Sequence, residues 1–190
     1  SMWHGGGTQN TQLFSAIQAT EAQPICWEFD LYTQGLGNQR MTSTLDKVTW
    51  GWLEHGLYND MVDPETGLAT SGYGMRILGN GGPNWVSYPG QPAQREGWHH
   101  FSATIYPDRI LFEVDLPATD ALPAESLSYL VTGHDASALE WDEIKLGGPS
   151  GLSSAGGGAG YDNIHIYLVP EPASLALLGL GMFLMRRRRA

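Results

Sequence analysis

Three pairs of carboxylates stand two residues apart: Glu28 and Asp30 in ICWEFDLYT, Glu113 and Asp115 in RILFEVDL, and Glu140 and Asp142 in LEWDEIKLG. Residues at that spacing share one face of a β-strand, so each pair could present two acids to the same bond. The reaction that needs two such groups is glycoside hydrolysis, where one carboxyl donates a proton and the other acts as nucleophile or base. The plainer account of each pair is a solvated outward face of an amphipathic strand.

Aromatic residues suggest a second chemistry. Trp50 and Trp52 lie two apart and share a strand face, while Trp85 follows GNGGPN in a predicted loop. A sugar ring stacks its apolar face on an indole and leaves its hydroxyls for nearby carboxylates and amides. Trp50, Trp52 and Trp85 beside Glu54, Asn80 or Asn84 are therefore candidates for a glycan platform, with a core position as the alternative for Trp50 and Trp52. Trp27, Trp98 and Trp141 are predicted to be core.

Metal chemistry has less to draw on. NDMVDPETG gathers Asn59, Asp60, Asp63 and Glu65, and oxygen-rich loops suit calcium. The spacing is not that of an EF-hand, and a polar turn bending at Asp63-Pro64 accounts for it equally well. The expectation is no cofactor, with calcium at Asp60, Asp63 and Glu65 left open. His99 and His100 are adjacent, so on a strand they point to opposite faces and cannot both hold one ion. Cys26 is the only cysteine, which excludes an intrachain disulfide and a thiolate cluster; its place in an alternating run predicts a small buried thiol.

The elements that must position these residues have a period of two. Ile25, Trp27, Phe29 and Leu31 alternate with polar neighbours, as do Phe101, Ala103 and Ile105 in HFSATIY, and Ile110, Phe112, Val114 and Leu116 in RILFEVDL. Pro107-Asp108 between the last two runs predicts a hairpin turn. YDNIHIYLV supplies another strand, and KVTWGWLEH, GYGMRIL, WVSY, LSYLVTGH and WDEIKLG supply weaker ones. PAESLSYLV could instead form a helical turn or two. With 25 glycines, and seven of them within residues 147–160, the chain is rich in turns and loops. About nine short strands give an all-β, antiparallel two-sheet sandwich.

Charge divides the chain. Residues 1–169 hold six Lys and Arg against nineteen Asp and Glu, a net of −13, and four arginines follow at 186–189. An acidic body without a basic patch excludes nucleic-acid binding. The chain finishes VPEPASLALLGLGMFLMRRRRA, in which thirteen mostly apolar residues, Ala173 to Met185, precede Arg186, Arg187, Arg188 and Arg189. Thirteen is short of the roughly 20 that a permanent span needs. The arginines would hold the terminus on the cytoplasmic side and leave the acidic body outside.

That ending closely resembles the PEP-CTERM sorting signal of Gram-negative bacteria that make extracellular polysaccharide. Pro170, Glu171 and Pro172 match its motif, Ala173 and Ser174 its usual followers, and Arg186–Arg189 its basic cluster. The resemblance implies export, transient insertion in the inner membrane as an apolar helix, recognition and cleavage by an exosortase, and delivery to the cell surface or exopolysaccharide matrix. Residues 1–168 are then the exported domain and residues 169–190 the signal.

The body resembles the concanavalin A-like lectin/glucanase sandwich, a jelly roll that includes laminin G-type domains, through GWHHFSATIYPDRILFEVDL and the closing YDNIHIYLV. The closing strand of such folds pairs near the amino end, and little strand-forming sequence precedes Ile25. With no export signal visible either, the chain is expected to lack an amino-terminal part. Glucanases of this fold carry Glu-x-Asp-x-x-Glu on one strand. Here Thr33, Ala118 and Lys145 stand at the third place, so no copy is complete. The expectation is therefore a noncatalytic surface or matrix protein with weak glycan binding. A glycoside hydrolase or a dedicated carbohydrate-binding module is the alternative.

Overall fold

The computed structural model describes residues 1–4, 10–34, 40–47, 52–78, 84–90, 92–133, 140–147 and 159–170. They form twelve strands: β1 (Met2–His4), β2 (Asn10–Gln18), β3 (Ile25–Gln34), β4 (Arg40–Asp46), β5 (Trp52–Val62), β6 (Ala69–Leu78), β7 (Val86–Ser87), β8 (Glu96–Ile105), β9 (Arg109–Leu116), β10 (Glu125–Thr132), β11 (Glu140–Leu146) and β12 (Ala159–Leu168). No helix occurs among the described residues.

Two six-stranded sheets result, ordered β1-β12-β3-β8-β9-β10 and β2-β11-β4-β5-β6-β7. Pairing is antiparallel throughout except for one parallel bridge between β5 and β7. The inward rows of the first sheet are those that alternation predicts: Ile25, Trp27, Phe29 and Leu31 face Phe101, Ala103 and Ile105, with Ile110, Phe112 and Val114 beyond. Met41, Leu45, Leu53, Leu57, Met75 and Ile77 close the core from the second sheet. His55 of β5 reaches across, with its ring 4.8 Å from Phe101 and 5.1 Å from Phe112.

The Pro107-Asp108 hairpin forms as expected, with Tyr106 N–H donating to the Arg109 carbonyl at 2.9 Å. Other elements depart from expectation. Two strands precede Ile25, and β12 lies between β1 and β3. β2 escapes notice because it is an edge strand exposed at most positions, and β4 because Thr42, Ser43 and Thr44 take core-adjacent places. PAESLSYLV forms no helical turn, since β10 pairs with all eight residues of β9 without a break. Cys26 is half-buried rather than buried, because it occupies the outward parity of β3.

Candidate functional site

Of the proposed platform residues, Trp50 and Asn80 lie outside the described residues, whereas Trp52, Glu54 and Trp85 converge on the outward face of the second sheet. They do so with Arg40 and Arg76, which the pattern of the sequence did not single out. Glu54, 1% exposed, accepts from Arg40 Nε at 2.9 Å and Thr42 Oγ1 at 3.1 Å, and pairs with Arg76 at 2.5 Å. Register explains the meeting, because Glu54 lies directly opposite Arg76 on β6 and Thr44 on β4.

Aromatic rings interleave with these cations. The Arg40 guanidinium lies 5.5 Å from the Tyr58 and Trp85 ring centres, and that of Arg76 lies 5.4 Å from Trp52 and Trp85. Burial pulls the Arg76 pKa below its ordinary value, and the Glu54 carboxylate opposes that fall. Trp85 is thus not an exposed loop residue; it is 5% exposed and wedged between two guanidiniums. Glu54 is likewise no free sugar-binding carboxylate. Cation–π attraction and a desolvated ion pair close this face. The missed signal was that Arg76 and Glu54 occupy outward parity on neighbouring predicted strands.

Among the described residues the exposed indole is Trp98, contrary to the expectation of a core position. It is 46% exposed, because its parity on β8 is opposite to that of His99 and Phe101. Tyr32, its register partner on β3, meets it edge-on with ring centres 5.4 Å apart. The Tyr32 hydroxyl donates to Glu96 at 3.3 Å. Trp98 and Tyr32 line a groove of about 270 Å³ with Met2 and Gly160. Parity alone could have found this ledge, since fixing Phe101 and Ile105 inward puts Trp98 outward.

The carboxylate pairs fall into two places. Glu28 and Asp30 on β3 and Glu113 and Asp115 on β9 occupy outward positions of the first sheet on either side of β8, with strand axes roughly 10 Å apart. Glu140 and Asp142 lie on β11 in the other sheet. Asp30 accepts from Asn163 Nδ2 at 2.5 Å and meets His100 Nδ1 at 2.7 Å, while Asp115 accepts from Ser126 Oγ at 2.6 Å. Asn163 reaches Asp30 from a bulge in β12, where its φ is 47°. The third Glu of a glucanase strand has no counterpart: Thr33 is buried and Ala118 follows the end of β9.

The suggested calcium loop does not form as one. Asn59 and Asp60 belong to β5, while Asp63 is 3% exposed and accepts backbone N–H bonds from Glu65 at 2.7 Å and Thr66 at 3.1 Å. Its carboxylate closes a turn, and Glu65 faces solvent. Among the described residues no three His, Cys, Asp or Glu side chains are grouped to hold a metal.

The adjacent histidines face apart as expected. His99 is buried between Tyr73 and the Leu31 carbonyl, and His100 is outward against Asp30. Burial pushes the His99 pKa down to about 4 and that of His55 to about 3.

At its other end β12 leads directly into the tail. Val169 N–H donates to the Pro24 carbonyl at 2.8 Å, and Pro170, exposed, begins the Pro-Glu-Pro tripeptide. Residues 168–189 match the model of the PEP-CTERM protein-sorting motif. No curated protein matches the chain. The PEP-CTERM segment marks a protein that is exported, processed by an exosortase and sorted at the membrane to the cell surface. Of its candidate residues, Glu171, Pro172 and Arg186–Arg189 lie outside the described residues. The motif leaves the sandwich at the end opposite the Trp98 ledge: Gly160 and Leu168 of β12 are eight residues, about 26 Å, apart.

Proposed function

We propose that this chain is a noncatalytic protein of the bacterial surface or exopolysaccharide matrix, which holds polysaccharide weakly on the Trp98–Tyr32 ledge. The observation that carries the reading is the 46% exposure of Trp98 beside Tyr32 and a groove of about 270 Å³. The two six-stranded sheets, with the closing strand beside β1, support a concanavalin A-like jelly roll, and the sorting motif supports a Gram-negative source that exports polysaccharide.

Physical chemistry limits the ligand. One indole with a tyrosine edge adds about 0.5 to 1.5 kcal/mol beyond the area it buries. A single site of that kind gives affinities of about millimolar, equivalent to roughly 4 kcal/mol. Useful retention then comes from many sites on one polymer. The net charge of −13 over residues 1–169, with Glu96 and Asp30 on the ledge side, repels uronate chains and favours neutral ones. Affinity electrophoresis of the protein in gels cast with neutral or uronate polysaccharide tests this. Retardation by a neutral polymer that Trp98→Ala abolishes is the expected result, and equal migration of both proteins in every gel sinks it.

A second reading is favoured by one feature, the placement of two Glu-x-Asp pairs on one face across β8. Their strand separation is compatible with the 6.5 to 9.5 Å between the carboxyls of inverting glycosidases. Release of reducing sugar that stops in both Glu28→Gln and Glu113→Gln, which register sets opposite each other across Ser102, would establish a hydrolase. The partners already held by Asp30 and Asp115 favour the noncatalytic reading.

A further inference from the structure

The end of the sandwich from which the sorting segment departs carries an exposed apolar row. Register aligns Tyr167, Cys26, Thr104, Leu111 and Leu130 across the outward face of β12, β3, β8, β9 and β10. Leu130 is 51% exposed, Tyr167 44% and the neighbouring Leu168 38%. Between this row and the Trp98–Tyr32 ledge the outward rows are polar, with Asp162, Asp30, His100, Asp115 and Ser126 forming one of them.

The tether fixes where this end must be. Val169 is tied to Pro24, and the apolar part of the tail starts at Ala173. Five residues from Leu168 to Ala173 reach at most about 18 Å when fully extended. The headgroup layer itself takes up roughly 5 to 8 Å on each side of a bilayer. Once residues 173–185 enter the hydrocarbon, the rim of the sandwich therefore stands no more than about 13 Å from the headgroup surface.

Charge at the rim is partly compensated, with one guanidinium against two carboxylates. Arg109 pairs with Glu21 at 2.6 Å and Asp108 at 2.7 Å, and its guanidinium lies 4.0 Å from the ring centre of Tyr106. Tyrosine and arginine at such a boundary are the residue types that sit well at headgroup depth.

We propose that this rim, with Leu130, Tyr167 and Leu168 at its edge, docks on the lipid headgroup layer while the PEP-CTERM segment is inserted. The inference rests on the sorting reading and not on glycan binding. β12 is paired with β3 as far as Leu168, and with β1 at Ala159–Tyr161, so it is no free strand from which the motif can be drawn away. The processing enzyme meets its motif at a seam between sandwich and membrane. After cleavage, a contact of a few side chains is too small to hold the domain by itself, and release follows from loss of the inserted segment.

The test uses the full chain in vesicles of phosphatidylcholine and phosphatidylglycerol containing a headgroup nitroxide lipid, with no exosortase present. In a Cys26→Ser background, a bimane probe is placed on Leu130→Cys at the rim or on Gln34→Cys at the far end of β3. Flotation with the vesicles reports insertion, and quenching reports proximity. The expected result is loss of fluorescence at the Leu130 probe and none at the Gln34 probe. That loss should persist when a ten-residue Gly-Ser insert separates Val169 from Pro170. A floating protein whose two probes are quenched alike, or whose quenching disappears with the insert, overturns docking and leaves sorting intact. A chain that does not float overturns both.

Discussion

The Tyr73 hydroxyl of one sheet meets His99 Nε2 of the other at 2.8 Å, in a site from which solvent is excluded. Arg95 N–H donates to the same hydroxyl at 2.8 Å; Nδ1 faces the Leu31 carbonyl at 3.3 Å and must donate to it, so in the neutral ring Nε2 accepts from the hydroxyl. Burial keeps the imidazole neutral, and the network satisfies that form.

Acid should unfold the domain through these histidines. His99 is held down to about 4 and His55 to about 3, against 6.5 for the free group. The unfolded chain takes up protons first, so stability is full above about pH 6.5 and falls as pH drops towards 4 and then 3. At about 1.4 kcal/mol per unit, the two sites together place several kcal/mol in that window. Urea midpoints should be level from pH 7.5 to about 6.5 and fall from there to pH 4.5, and His99→Gln should lessen the fall. A midpoint independent of pH over that range would show that neither imidazole is buried neutral.

Removing Glu54 should be far more damaging than its position two residues from the start of β5 suggests. Its carboxylate is the shared counter-charge for Arg40 and Arg76, whose side chains are 9% and 14% exposed. Breaking such a buried arrangement from one side typically costs about 3 to 5 kcal/mol. Glu54→Ala should lower the denaturation midpoint accordingly and remain sensitive to added anions that can reach the guanidiniums. A change below about 1 kcal/mol would mean that solvent already screens the cluster.

How much of this was legible beforehand depends on parity. The inward rows of β3, β8 and β9 follow from strict alternation, because burying one of two faces leaves a repeat of two in the chain. Trp98 carried the same information, but its size argued for burial and hid its place on the outward side. Glu54, Arg40 and Arg76 were illegible as a cluster because their encounter depends on the register of three strands, which no single strand records. Asp63 was read as a possible ligand because a carboxylate that closes a turn and one that holds an ion leave the same residue types in the sequence.

The same substitution at two tryptophans should give opposite outcomes. Trp85 is buried between Arg40 and Arg76, so Trp85→Ala should destabilise the fold by about 3 to 5 kcal/mol. Trp98 is 46% exposed and contacts Tyr32 by an edge, so Trp98→Ala should cost about 1 kcal/mol or less. Thermal melts of both variants beside the parent separate the two roles. If Trp98→Ala melts as early as Trp85→Ala, the ledge is part of the packing and cannot serve as a surface site.

Gly74 marks a close approach of chains rather than a flexible joint. A side chain there would run into the Met61 thioether and the Val86 carbonyl, where β6 carries β7 at its edge. The Met61 thioether is flexible and can turn aside, but the Val86 carbonyl is backbone and cannot yield without shifting β7, which is adjacent in sequence to Trp85. Gly74→Ala should therefore destabilise the domain by about 1 to 3 kcal/mol, the usual range for overpacking. It should also raise Trp85 solvent exposure, visible as increased acrylamide quenching. An unchanged denaturation midpoint would show that the β6–β7 contact is dispensable.

Asp63 should matter to stability without any metal. Its Oδ1 accepts the backbone N–H groups of Glu65 and Thr66, and Asp63 N–H in turn donates to the Leu68 carbonyl at 2.9 Å. These bonds fix the tight connection between β5 and β6, and deleting the carboxylate leaves two amides seeking water in its place. Asp63→Ala should cost about 1 to 3 kcal/mol, whereas Asp60→Ala and Glu65→Ala, both exposed, should stay within about 0.5 kcal/mol. A chelator added to the parent should leave its melting temperature unchanged. If chelation lowers it and calcium restores it, with Asp60→Ala and Glu65→Ala removing the response, the segment binds the ion after all and Asp63 is a ligand as well as a turn residue.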